Sequence, residues 1–206
     1  MKDCAMSSSR KNEFRLSDRR EFLRTAGVGV PALILCTPPL LATSTCVETE
    51  DNIEGPFYKP GSPERANLVE NGMPGVRLTV TGRVLSTQCD PLSDARLDVW
   101  QADHSGQYDN QGFRLRGRLY TSKSGSYRLE TIIPKRYRIN GSQMYRPAHI
   151  HLKVSAQGFP LLTTQLYFPD DPYNAVDSAF RESLVIRPKG DGEKRLAHFD
   201  FILKPE

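Results

Sequence analysis

At 206 residues, with 28 basic against 24 acidic side chains and a formal net charge of +4, the chain has room for one full-sized domain and hardly two. A hydrophobic fraction of 38% beside 25% charged residues is that of an ordinary globular protein and excludes wholesale disorder. Most of the positive excess lies in residues 1–45, so the body has no surplus with which to neutralise a phosphate backbone, and no run of about 18 apolar residues offers a membrane span; neither nucleic acid nor a stable membrane anchor is expected.

The N-terminal stretch Asp18-Arg19-Arg20-Glu21-Phe22-Leu23-Arg24 resembles the twin-arginine export motif. A moderately apolar run from Thr25 to Leu41 follows, diluted by Gly27, Gly29, Pro31, Pro38 and Pro39, and Ala42-Thr43-Ser44 offers the small residues of a cleavage site near Ser44. Residues 1–44 are therefore expected to be an export signal, and residues 45–206 a single periplasmic or secreted domain. Cys4 and Cys36 would leave with the signal. Cys46 and Cys89 would remain as an even pair in an oxidising compartment, where a bond between them closes a loop of roughly 44 residues. Two buried free thiols, or a lipid anchor on Cys46, are the alternatives.

Beyond Cys46 the segment Glu54–Met73, rich in Gly and Pro, reads as a long ordered arm. Alternation then dominates. Over Val76–Leu85 the residues Leu78, Val80 and Val84 share one face, and over Ala95–Gln101 Ala95, Leu97 and Val99 do the same. Turn signals recur at Gln88-Cys89-Asp90-Pro91, Ser105-Gly106, Ser124-Gly125, Asn140-Gly141, Asp171-Pro172 and Lys189-Gly190-Asp191-Gly192. A short helix is expected around Ala175–Glu182, and a last strand with Ala197, Phe199, Phe201 and Leu203 on one face. Several short strands at such spacing predict an all-β fold, an antiparallel β-sandwich with long loops and an N-terminal arm.

The chemistry concentrates in Tyr145-Arg146-Pro147-Ala148-His149-Ile150-His151-Leu152-Lys153-Val154. In a strand, Ala148, Ile150, Leu152 and Val154 form an apolar face, so His149 and His151 stand together on the opposite one, where both imidazoles can reach one metal ion. The remaining ligands stay open at this level. A zinc site would want a third His, Cys or carboxylate, with His104 and His198 as candidates. A non-haem Fe(II) triad would want one carboxylate, for which Asp103 could serve. Tyrosine phenolates, hard anionic donors, would suit Fe(III), and the chain has eight tyrosines. Lys153, on the histidine face, reads as solvated. No Gly-rich dinucleotide fingerprint or phosphate loop is present.

Taken together, Glu54-Gly55-Pro56-Phe57-Tyr58, Pro91 through Tyr108 with its core Val99-Trp100-Gln101-Ala102-Asp103, Arg116-Gly117, Thr131-Ile132-Ile133-Pro134-Lys135-Arg136-Tyr137, Arg146-Pro147-Ala148-His149-Ile150-His151 and Gln165-Leu166-Tyr167-Phe168 resemble the intradiol ring-cleavage dioxygenases, in layout most nearly the iron-bearing subunit of protocatechuate 3,4-dioxygenase. The resemblance runs in order through nearly all of residues 46–206 and implies a β-sandwich. It implies Fe(III) held by Tyr108, Tyr137, His149 and His151, with Tyr137 the axial ligand that lets go when substrate binds. Tyr137 stands one residue nearer His149 than the family pattern has it, which makes Tyr145 its rival. The resemblance further implies that Arg146 stabilises negative charge on the substrate ring, that Gln165 supports the site, and that Trp100 packs beside it. The implied reaction is cleavage of a small aromatic diol by O2 between its hydroxyl-bearing carbons, giving a cis,cis-muconate-type dicarboxylate without organic cofactor. The stretch before Glu54 is short for the helical dimerisation domain of dedicated catechol 1,2-dioxygenases. Homo- or hetero-oligomers are both open. A catalytically silent β-sandwich binding module and a zinc hydrolase are the competing readings.

Overall fold

The computed structural model describes residues 45–139 and 142–205. The expected export signal with its cleavage point, Cys4, Cys36 and the Asn140-Gly141 turn lie outside the described residues. Among the described residues ten strands run in the order β1 (Arg77–Ser86), β2 (Arg96–Gln101), β3 (Arg116–Tyr120), β4 (Ser126–Ile132), β5 (Tyr137–Arg138), β6 (Tyr145–Arg146), β7 (His149–Ser155), β8 (Leu162–Tyr167), β9 (Lys194–His198) and β10 (Phe201–Leu203). One sheet has the order β3-β2-β7-β8, antiparallel throughout; the other is built on β1, flanked by β4 on one side and by β9 and β10 on the other. β5 and β6 form a separate two-stranded ladder. Among the described residues no helix is long and apolar enough to cross a membrane.

The alternation read from the sequence fills the space between the two larger sheets. Leu78, Val80 and Val84 from β1 and Leu129 from β4 meet Leu97, Val99, Ile150, Leu152, Val154 and Leu166 from the opposing sheet in one buried core. Apolar area removed from water on both inner faces is the main force holding such a sandwich.

The all-β sandwich is the expected one, and three of its details differ. The sandwich is not wholly antiparallel: β9 and β10 both run parallel to β1, pairing Arg77–Thr81 with Lys194–His198 and Val84–Ser86 with Phe201–Leu203. The expected last strand is broken at Phe199-Asp200, where the Asp200 carboxylate takes the Arg83 N–H (2.7 Å) in place of a ladder bond. Gly82 makes room for this crossing, because a Cβ there would lie 1.7 Å from the Phe199 carbonyl oxygen. The helix expected at Ala175–Glu182 is absent as well. Asp171 and Asp177 take the backbone N–H groups of Tyr173 and Ala179 into side-chain turns, and only a 3-10 turn at Glu182–Leu184 remains.

The arm is ordered by pairing along its length. Its backbone N–H groups at Arg65 and Leu68 donate to the carbonyls of Arg118 and Glu130, and Leu68 is fully buried. Upstream, Cys46 and Cys89 form a disulfide across a sequence separation of 43. In the loop-entropy picture a cross-link of this span contributes about 4 kcal/mol. Replacing both cysteines by serine should therefore lower the unfolding free energy of oxidised residues 45–206 by about 2–4 kcal/mol in a urea titration; an unchanged midpoint would show that the cross-link contributes nothing.

Candidate metal centre

The centre is built on the outer face of β7. Ala148, Ile150, Leu152 and Val154 are buried in the core, which turns His149 and His151 to the opposite face, where both are also buried. Their Nε2 atoms lie 3.0 Å apart. His149 Nδ1–H donates to the Pro147 carbonyl (2.6 Å), which fixes the ring and leaves its Nε2 lone pair free for a cation. The neighbouring strands hold His151: Trp100, its partner in β2, stacks on the imidazole at 4.7 Å with the rings 6° from parallel. Gly55 of the arm also lies against His151, and its φ of +70° accounts for a glycine there.

Two loops bring tyrosines to this pair. The first follows β2 and is organised by Asp103, whose Oδ1 accepts from the Ser105 N–H, the Ser105 hydroxyl and the Gln107 N–H. Burial pushes the Asp103 carboxyl up, but these hydrogen bonds and Arg114 outweigh it and hold the group below its ordinary value. Asp103 is thus a turn organiser and does not join the imidazoles. The turn delivers Tyr108, whose ring centroid is 6.2 Å from that of His151. The second loop is pinned by Lys135 N–H donating to the Asp103 carbonyl (3.0 Å) and delivers Tyr137, 5.7 Å from His149 and 5.4 Å from Tyr108 by ring centroids. Tyr145 packs instead 5.5 Å from Tyr173 by ring centroids, whereas Tyr137 is the one of the two that meets His149.

Arg146 shows where strand alternation fails. Regular alternation would turn it away from His149. It belongs instead to β6, paired with Tyr137 in β5, and Pro147 separates it from β7. Its guanidinium is buried on the histidine side, held by Asp177 Oδ2 (3.0 Å from Nε), Gln165 Oε1 (2.9 Å) and the Tyr167 hydroxyl (3.0 Å). Gln165 in turn donates to the Ile53 carbonyl of the arm (2.7 Å). Asp177 carries no motif of its own, and Tyr167, though inside the quoted Gln165–Phe168 stretch, was given no role there. Only the two-residue spacing from Gln165 to Tyr167 on one strand face could have pointed to the latter.

The roof is also a finding of the structure. Phe57 stacks on Tyr108 (4.3 Å) and meets Tyr137 edge-on (5.4 Å), while its carbonyl accepts from the buried Arg116 Nη1 (2.7 Å). Lys153 is not solvated as expected: its ammonium pairs with Glu54 (2.5 Å) and lies 4.0 Å over the Tyr58 ring, fastening the arm beside the site.

Burial shifts all four of these side chains toward their uncharged forms. Burial, with Arg146 adding to it, holds His149 down to about 3, and burial, His149, Arg146 and Arg116 hold His151 well below its usual range, so both imidazoles are neutral. Burial and the neighbouring Tyr137 push the Tyr108 phenol far up, and burial pushes Tyr137 up against the opposing pull of Arg146. The Tyr108 hydroxyl is sealed from solvent with no hydrogen-bond partner among the described residues. An orphaned phenol beside two convergent imidazole lone pairs fits a hard cation that turns phenol into phenolate. Two phenolates offset two of three positive charges of Fe(III), so the donor set fits a ferric ion. Among the described residues no group of three or more His, Cys, Asp or Glu side chains is placed to hold a metal. His104 is exposed and His198 pairs with Asp200 (3.2 Å), so neither completes a zinc set.

A family model described as dioxygenase matches residues 53–205. The chain is 39% identical over 160 residues to hydroxyquinol 1,2-dioxygenase of Rhizobium sp. (strain MTP-10005), covering 66% of this chain and 54% of that protein. It is 35% identical over 186 residues to chlorocatechol 1,2-dioxygenase of Rhodococcus opacus, covering 76% and 72%. The chain thus spans about half to three quarters of the length of these curated relatives. Among solved structures, the dioxygenase domain of a dioxygenase carbohydrate-binding protein fusion from Streptomyces sp. SirexAA-E superposes with a TM-score of 0.71 at 44% identity, covering 78% of this chain and 100% of that one. The chain belongs to the intradiol dioxygenase family.

Proposed function

We propose that this protein binds Fe(III) through Tyr108, Tyr137, His149 and His151 and cleaves a catechol-type ring with O2 between its hydroxyl-bearing carbons, releasing a cis,cis-muconate-type dicarboxylate. The observation that carries this reading is the meeting of two phenols, from loops far apart in the chain, with the neutral imidazole pair of β7. When bound, Fe(III) supplies Lewis acidity that favours the deprotonated catechol and gives its ring carbanion character toward O2. His149 and His151 hold without adding charge. Tyr137 would help hold the ion through its phenolate oxygen, which could accept a catechol proton at Oη on substrate entry, the role the family resemblance implies. Arg146, locked by Asp177, Gln165 and Tyr167, presents a fixed cation where negative charge develops on the ring. Phe57 and the arm behind it exclude water from the inner wall. The protocatechuate-like layout stays a statement about outline, since the relatives above are named for hydroxyquinol and chlorocatechol.

We infer in addition that residues 1–44 direct export by the twin-arginine route and that the mature domain works in the periplasm or outside the cell. The paired arginines and following apolar run support this, and the Cys46–Cys89 bond suits an oxidising compartment.

The iron-loaded mature domain should be burgundy-red from tyrosinate-to-iron charge transfer. Tyr108→Phe and His151→Ala should each lose bound iron by metal analysis, and full retention of iron and oxygen uptake by either would overturn the ligand assignment. Arg146→Gln should keep iron and colour while kcat on catechol falls about 100-fold; a kcat within twofold of wild type would remove Arg146 from the reaction. Acid should destabilise the metal-free domain. Unfolded imidazoles take up protons near pH 6.5, whereas the folded His149 resists down to about 3. Stability therefore falls as pH drops through that window, and a flat unfolding free energy from pH 7 to 4 would contradict the buried neutral pair.

A further inference from the structure

One carboxylate reaches the imidazole pair without touching it. The peptide joining Pro147 to Ala148 lies between β6 and β7 and belongs to neither ladder, so its two polar groups need partners elsewhere. Its carbonyl takes His149 Nδ1 (2.6 Å), and because a carbonyl can only accept, that nitrogen carries the proton. Its N–H, on Ala148, donates to Asp171 Oδ2 (3.1 Å). A trans peptide points these two groups in opposite directions. Carboxylate, amide and imidazole thus form one chain that ends at His149 Nε2, the atom facing His151.

The loop after β8 holds Asp171 in place. Asp170 before it has a φ of +62°, a left-handed turn that an aspartate tolerates. Asp171 Oδ1 accepts from the Tyr173 N–H (3.0 Å) and its backbone carbonyl from the Asn174 N–H (3.0 Å), which fixes the direction of the carboxylate. The side chain is largely buried. Arg136 pairs with Oδ2 only at 3.9 Å, its guanidinium drawn over the Tyr173 ring, so the negative charge is left to act on the amide. The other imidazole has no such support: His151 Nδ1 is shut off from solvent with no hydrogen-bond partner among the described residues.

We propose that Asp171 is a positioning residue of the metal centre, which through the Pro147–Ala148 peptide fixes the His149 ring and makes its Nε2 the stronger donor of the pair. The inference rests on the metal-binding reading above. A carboxylate on the N–H side of an amide draws negative charge onto the carbonyl oxygen, and hydrogen bonds in such a chain strengthen one another by about 10–30% each. A stronger acceptor at Nδ1–H raises the basicity of the opposite ring nitrogen. Here the carboxylate does this from one peptide away, so it tunes the imidazole without entering the ligand set.

The test replaces Asp171 by Asn in the full chain, which removes the charge and leaves one acceptor oxygen for two N–H groups. In the metal-free protein the His149 Nδ1–H resonance should move upfield in nitrogen-15-edited NMR. In the iron-loaded protein the Fe(III)/Fe(II) potential should rise, the tyrosinate-to-iron charge-transfer band should move to longer wavelength, and iron affinity should fall about tenfold. A merely loosened loop would lower the affinity and leave the band and potential of the remaining iron where they were. That result, or an unmoved Nδ1–H resonance, overturns the proposal. In the wild type the Ala148 amide should exchange with solvent as slowly as the ladder amides of β7, and fast exchange overturns the proposal even where Asp171→Asn does not fold. The metal-free resonance also separates this inference from the one beneath it. An upfield shift in a protein that takes up no iron sinks the metal centre and keeps the chain from Asp171 to His149, whereas an unmoved resonance in a protein that binds iron sinks that chain alone.

Discussion

Two buried imidazoles, their Nε2 atoms 3.0 Å apart and both held neutral, set the terms for everything around them. Such a pair is a poor structural element by itself. It gives one weak contact between rings, and its free lone pairs are shut away from water. A cation resolves this, and the surroundings are arranged accordingly. Among the described residues the groups beside the pair that could become anionic are phenols and not carboxylates. The core behind β7 enforces the geometry: turning His149 and His151 inward would expel Ile150 and Leu152 from the interior.

The arm converts this exposed sheet face into a pocket. It is tied at three places that are themselves parts of the site: Gln165 to Ile53, Arg116 to Phe57, and Lys153 to Glu54. Each tie uses a side chain from a strand of the same sheet, so the roof is registered to the imidazoles and not merely laid over them. Arg146 is held with comparable care. The Asp177 carboxylate balances its charge where neither group meets bulk water, and Gln165 links that ion pair to the arm. Buried ion pairs contribute little net stability, so this arrangement is better understood as fixing the direction of a cation.

Legibility in the sequence followed the range of the interactions. The face shared by His149 and His151 depends on alternation within one strand, and it was readable from four apolar neighbours. The disulfide partners were readable because only two cysteines remain past residue 44. Arg146 was readable only through the family resemblance and the neighbouring Pro147, because its direction depends on a ladder with Tyr137 that strand spacing does not report. The missing helix at 175–182 reflects local competition: Asp171 and Asp177 offer backbone N–H groups a nearer acceptor than a helical carbonyl. Parallel pairing of β9 and β10 with β1, over more than a hundred residues of separation, left no local trace. Phe57 and Asp177 act through contacts made only after folding. The motif containing Phe57 was visible in the sequence, but its place as the roof over Tyr108 was not.

The central claim is that one ferric ion sits among these four side chains. Diffraction from crystals of the iron-loaded domain at the iron absorption edge tests it most directly. The account predicts a single anomalous peak bonded by the Tyr108 and Tyr137 phenol oxygens and by Nε2 of His149 and His151. A peak elsewhere, or one at the imidazole pair completed by a carboxylate or by solvent with both phenols turned away, would contradict it.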